Sequence, residues 1–170
     1  MSDALSEAAL LVHLWLDIVF GASDLAAAWP LTDEPLRLAL AQSWIVLEAD
    51  RPEVDAVDRD VLAALLAEPS QPAHPHWHEF AGWRVIRWRE VLPEYVSVAD
   101  LRGIVSGDRP LTADIEEVWV TQASESTVSE GVKVEAQRFL VRHVDGVWLL
   151  AGIGGVLPIP GWPPTETPRL

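Results

Sequence analysis

The side chains here that could move a proton or hold a metal are five histidines and a group of strand carboxylates. His143 stands in Arg138-Phe-Leu-Val-Arg-His-Val-Asp-Gly-Val-Trp-Leu-Leu-Ala-Gly-Ile153. An imidazole facing a pocket there could act as general base, general acid or hydrogen-bond partner of a ligand. The competing role, favoured for a lone histidine, is a core or rim residue satisfied by backbone or stacked on Trp148. Asp114, Glu116 and Glu117 are candidates for acid–base work if one carboxyl is desolvated. Successive strand residues point to opposite faces, so at most one of Glu116 and Glu117 can point inward. The favoured alternative is cross-strand pairing with Arg84, Arg87 or Arg89.

His74, His76 and His78, with Glu79 beside them, match metal ligands by residue type. A zinc site needs four well-oriented ligands, however, and a proline-rich loop with incidental histidines is the favoured reading. No metal is expected. His13 and Asp17 form an i, i+4 pair on the first helix, read as a surface pair before half of a catalytic dyad.

These residues must be positioned by four helical segments followed by strands. Leu5, Ala8, Ala9, Val12, Trp15, Leu16 and Val19 form one helical stripe that stops at Gly21. Ser23-Asp24 can cap a short second helix ending at Trp29-Pro30. Thr32 or Asp33 can cap a third through Leu36, Leu40, Trp44 and Leu47. A fourth opens at Pro52, with Val54, Val57, Val61 and Leu65 on one face, and ends at Pro69. Residues 69–75 read as a loop. Strands are expected over 82–91, 114–122, 132–144 and 147–153. Residues 95–105 are ambiguous, with a turn at Ser106-Gly107-Asp108.

Asp145-Gly146 is a strong two-residue hairpin signal, because a type I′ turn needs positive φ at both central positions. It sets Val144 against Val147, His143 against Trp148, Arg142 against Leu149 and Val141 against Leu150. One face then carries Phe139, Val141, His143, Trp148 and Leu150, and should meet the helices. The other carries Arg138, Leu140, Arg142, Leu149 and Ile153, which suits an outer face or a subunit interface. Helices first and an antiparallel sheet after them define an α+β fold. One domain over residues 1–157 and a Pro-rich tail over 158–170 are expected.

Composition narrows the partners. Acidic residues outnumber basic ones 26 to 12, for a formal charge of −14. That disfavours nucleic acid and anionic membrane surfaces. There is no cysteine, which removes disulfides and thiol chemistry. The apolar run Ala8–Leu16 is too short to span a bilayer. Asp3 and Glu7 argue against a secretory signal, so the expected compartment is the cytoplasm. No phosphate-binding loop, nucleophile elbow or cofactor motif is visible, and no cofactor is expected. Nine tryptophans could line an aromatic cavity or fill a core.

The first amphipathic helix, the Thr32-Asp-Glu-Pro-Leu-Arg-Leu-Ala-Leu-Ala-Gln-Ser-Trp44 segment and the Val141-Arg-His-Val-Asp-Gly-Val-Trp148 hairpin together resemble the nuclear transport factor 2-like (SnoaL-like) superfamily. The resemblance covers roughly residues 4 to 155, and Leu36–Trp44 resembles uncharacterised members from GC-rich bacteria. It implies a cone: helices packed on a strongly bent antiparallel sheet of about four to six strands, often dimeric, with a hydrophobic pocket between helices and sheet. The expected role is binding of an apolar small molecule or a partner by a homodimer, with Phe139, Val141, His143, Trp148, Leu150, Trp44 and Trp119 lining the pocket. The alternative is a lyase, isomerase or cyclase of that group using His143. The group's enzymes use a tyrosine with carboxylic acids, and the one tyrosine here, Tyr95, falls in the ambiguous segment, so no catalytic set carries over.

Overall fold

A computed structural model describes residues 5–70, 74–91, 105–121, 133 and 135–165. Six α-helices precede four strands among them: α1 (Glu7–Leu16), α2 (Leu25–Ala28), α3 (Glu34–Leu47), α4 (Pro52–Asp55), α5 (Arg59–Ala67), α6 (Trp77–Val91), then β1 (Val105–Pro110), β2 (Ile115–Thr121), β3 (Gln137–Val144) and β4 (Val147–Ile153). The strands form one antiparallel sheet in the order β1-β2-β3-β4, with helices packed against it. The fold is α+β. No described helix is long and apolar enough to cross a membrane.

Side-chain caps start the helices. Ser6 Oγ accepts from Ala9 N–H at 3.1 Å, and Asp24 Oδ1 accepts from Ala27 N–H at 3.0 Å. Asp33 caps α3, with Pro35 in its first turn. The stripe Ala8, Ala9, Val12, Trp15, Leu16 and Val19 is buried. Helix α1 runs into a π-helical turn, Asp17–Gly21, and a 3-10 turn, Trp29–Leu31, leads from α2 toward α3. The expected fourth helix is two. Asp58 accepts from the N–H groups of Asp60 and Val61 and starts α5 afresh. That restart changes the helical phase, so α5 buries Leu62, Ala63, Leu66 and Ala67 and leaves Val61 and Leu65 exposed.

The largest correction concerns residues 82–91, which are helical. The apolar alternation reads as a strand, but Trp77, Phe80, Arg84, Val85 and Trp88 are the buried positions, at spacings of three, four, one and three. Arg84, Arg87 and Arg89 therefore lie on a helix and not across a ladder from Glu116 or Glu117. Ser106-Gly107-Asp108 lies in β1 and is not a turn. Gly107 sits opposite Trp119, and a Cβ there would come within 2.9 Å of the indole. The glycine makes room for the ring. Residues 95–104 fall outside the described residues, as does 132; β3 begins at Gln137.

The hairpin register matches the expected pairs from Val144↔Val147 to Val141↔Leu150. Asp145 and Gly146 have φ of 48° and 85°. A bulge then intervenes: Leu140 pairs with Gly152, leaving Ala151 as the extra residue, and Phe139 pairs with Ile153. Ile153 consequently joins the helix-facing core and not the outer face with Arg138. Val118, Val120, Phe139, Val141 and Leu150 complete the sheet's contribution to that core. The segment around Trp162 lies against α3 and α5. Gly161 N–H donates to Gln42 Oε1 and Trp162 Nε1–H to Asp60 Oδ1, both at 2.8 Å. The Arg59 guanidinium stands 4.7 Å from the Trp162 ring centroid.

Candidate functional site

The seven side chains expected to line a pocket are not gathered around one hollow. Phe139, Val141 and Leu150 are fully enclosed core residues. Trp44, 1% exposed, packs edge-on to Phe80 and beside His76. Trp119 lies on the opposite sheet face from Val118, over Gly107. His143 alternates with Phe139 and Val141, but it stands at the end of its strand and is exposed, while Arg142, expected on the outer face, is half-buried and reaches Asp33 at the start of α3. The His143 ring lies 4.9 Å from that of half-buried Trp148. Distance from the sheet centre sets that exposure.

The carboxylates divide as alternation requires. Glu116 takes the helix-facing side, where burial, then nearby Asp108, raises its pKa. Glu117 takes the other face and is the more buried. Its partners are arginines, though not those of α6. Arg109, directly opposite on β1, donates from Nε and Nη2 at 2.8 Å, Trp119 Nε1–H at 3.2 Å, and Arg138 Nη1 at 3.4 Å. Asp114 accepts from the Thr112 hydroxyl at 2.8 Å.

In the histidine segment, His74 and His76 stack with centroids 5.2 Å apart, and His76 Nδ1 lies 3.6 Å from Glu79. Burial, then His76, lowers the pKa of His74. His78 is exposed on α6. Among the described residues no group of three or more His, Cys, Asp or Glu side chains is arranged to hold a metal ion.

His13 is a correction: it is buried, not on the surface, and its Nε2 shares a 3.1 Å hydrogen bond with Ser106 Oγ of β1. Burial lowers its pKa from the ordinary 6.5. The unfolded chain therefore takes up a proton at a higher pH than the fold does. The stability His13 contributes is complete above about pH 6.5 and is lost as pH falls through that value. Chemical unfolding at neutral and mildly acidic pH should show this loss in the native chain and a flatter dependence in His13→Gln. An identical slope in the variant would contradict it.

The described residues do form an open cleft, of about 450 Å³, between the α2 segment and α6. Ser23, Asp24, Leu25 and Ala26 make one wall. Trp77, His78, Ala81, Gly82, Val85, Ile86 and Arg89 make the other. Leu25, Trp77 and Val85 are its buried apolar floor, while Ile86 is 60% exposed. Three departures from local preference meet here. The π-helical turn delivers the chain to Ser23, which holds φ at 55°, a region disfavoured for any residue with a Cβ. Gly82 sits inside α6, although a Cβ there would meet nothing within 4 Å. Arg89 Nη2 donates to Phe20 O at 2.7 Å and Ser23 Oγ at 3.0 Å, fixing the turn against the helix. The sequence reading missed this site because it placed 82–91 in a strand. The signal that could have found it is the Trp77, Phe80, Arg84, Trp88 spacing. Comparison with protein-family models, with curated proteins and with solved structures finds no match to this chain.

Proposed function

We propose that this protein is a ligand-binding domain, without catalysis of its own, whose site is the cleft between α2 and α6. The observation that carries this reading is Gly82. Glycine inside a helix costs about 0.5–1 kcal/mol relative to alanine. Packing does not require it here, since the space over its Cα is open. Gly82 lines the cleft, and with no side chain there the cleft stays clear at that point. Natural chains that break local rules without a packing reason do so mainly at functional sites. The volume lies within the roughly 300–1,000 Å³ typical of small-molecule sites. The cleft lies away from the helix–sheet hollow that the resemblance implies, so the reading does not depend on it.

The test uses two substitutions at one position. Gly82→Ala is expected to stabilise the fold by about 0.5–1 kcal/mol, raising Tm by roughly 1–4 °C. Gly82→Leu is expected to fill the cleft. In a thermal-shift screen of small apolar molecules, those that raise the native Tm should fail to do so in Gly82→Leu. Equal shifts in that variant, or a destabilised Gly82→Ala, would sink the proposal.

A further inference from the structure

We infer that the cleft takes an amphipathic monocarboxylate, its headgroup on Arg89 and its apolar chain along Gly82 and Ile86 toward His78. The inference rests on the α2–α6 cleft being the binding site and adds the class of ligand.

Arg89 lies exposed on the cleft, its guanidinium 6.0 Å from the Phe20 ring centroid. Arg51, Arg87, Arg109, Arg138 and Arg142 each hold a carboxylate. Arg37 and Arg84 are buried and donate to backbone carbonyls, and Arg59 lies over Trp162. Both acceptors of Arg89 are neutral, a carbonyl and a hydroxyl, and both engage Nη2. Among the described residues its Nε and Nη1 donors have no protein acceptor. A guanidinium carries five N–H donors in a rigid fork, so three remain for a ligand. The chain carries 26 acidic residues against 12 basic ones. A cation that meets only neutral acceptors among the described residues, at the mouth of a cleft, can receive an anion from outside.

The remaining walls define the rest of the ligand. Along α6, residues 78 to 89 span about 16 Å at the helical rise. Between His78 and Arg89 this wall offers Ala81, Gly82, Val85 and Ile86, which are apolar. Asp24 stands at the arginine end as the cap of α2. A single guanidinium can offset a single negative charge; a dianionic phosphate would bring a second one toward Asp24, which lines the same cleft, with no second cation to offset it.

Decanoate, decanol and decyltrimethylammonium, each titrated below its critical micelle concentration and followed by calorimetry, share a tail and differ in headgroup charge. The protein's overall charge alone would favour the cation. The inference requires the reverse: decanoate should bind the native protein about tenfold tighter than either competitor. Arg89→Gln should remove that preference while leaving decanol within about twofold. Gly82→Leu should weaken decanoate and decanol alike. Equal binding of decanoate and decanol, preference for the cation, retained decanoate affinity in Arg89→Gln, or no binding of decanoate would overturn the inference. The cleft reading falls separately, if Gly82→Leu leaves binding intact. Should Arg89→Gln not fold, the headgroup ranking on the native chain decides.

Discussion

Trp29→Ala is expected to lower the free energy of unfolding by about 4–5 kcal/mol, a large fraction of the stability of a domain this size. Trp29 is fully enclosed. Its ring meets Trp77 and Phe80 edge-on, with centroids 5.5 and 5.7 Å away. Its Nε1–H donates to Leu66 O at 3.0 Å, which ties the turn after α2 to the end of α5. Truncation leaves a cavity the size of an indole and an unsatisfied carbonyl. Large aromatic-to-alanine changes cost about 3–5 kcal/mol, and the orphaned acceptor adds about 1–3, partly offset by relaxation. Trp29→Phe keeps most of the packing and loses the donor, at about 2 kcal/mol. Urea unfolding with an unchanged m-value measures both. A loss below about 2 kcal/mol for alanine would mean that the aromatic cluster collapses into the space. Because Trp77 also floors the cleft, the variant should weaken whatever binds there.

Asp33→Ala should cost about 2–3 kcal/mol, because one carboxylate fastens α3 to the sheet. Its Oδ1 accepts from Glu34 N–H at 3.0 Å, and its Oδ2 from Arg142 Nη1 at 2.6 Å. Its own N–H donates to Leu150 O of β4 at 2.7 Å. The cap accounts for about 1 kcal/mol. The rest comes from leaving the Arg142 guanidinium unpaired, a moderate loss since that side chain is 26% exposed and can hydrate. Replacing both partners, Asp33→Asn with Arg142→Met, should cost less than Asp33→Ala alone, because no buried charge is left uncompensated. A double variant less stable than Asp33→Ala would contradict this.

The same carboxylate separates two sources of pH dependence. Burial raises the pKa of Asp33, and Arg142, the leading opposing influence, does not fully offset it. A folded-state pKa above the unfolded one means the fold binds that proton more tightly, so Asp33 does not cause loss of stability in acid. His13, with its pKa shifted down by burial, does.

Much of this molecule was legible residue by residue. The α1 stripe, the Asp24 and Asp33 caps, the Asp145-Gly146 turn and the pairing from Val144 to Val141 all follow from interactions within a few residues or across one tight turn. Local chemistry dominates there. The order of helices and strands made the α+β class readable for the same reason. Legibility failed where a residue's environment comes from elsewhere in the chain. Residues 82–91 alternate like a strand, yet become α6 because Trp77, Phe80 and Trp88 have Trp29, Trp44 and Trp15 to pack against. His13 looked like a surface residue until β1 placed Ser106 beside it.

The candidate site belongs to this second kind. A glycine and an arginine seven residues apart carry no motif, and only the helical reading of this segment separates Arg89 from Arg87. Arg87 has Glu90 one helical turn away on its own helix, at 2.6 Å. The partners of Arg89 lie 66 and 69 residues back, on a turn whose irregular backbone no propensity specifies. Periodicity, capping and turn chemistry act over short spans and so can be read from the order of residues. Which cation meets only neutral acceptors among the described residues, and which glycine lines a cleft, depends on what long-range packing brings near.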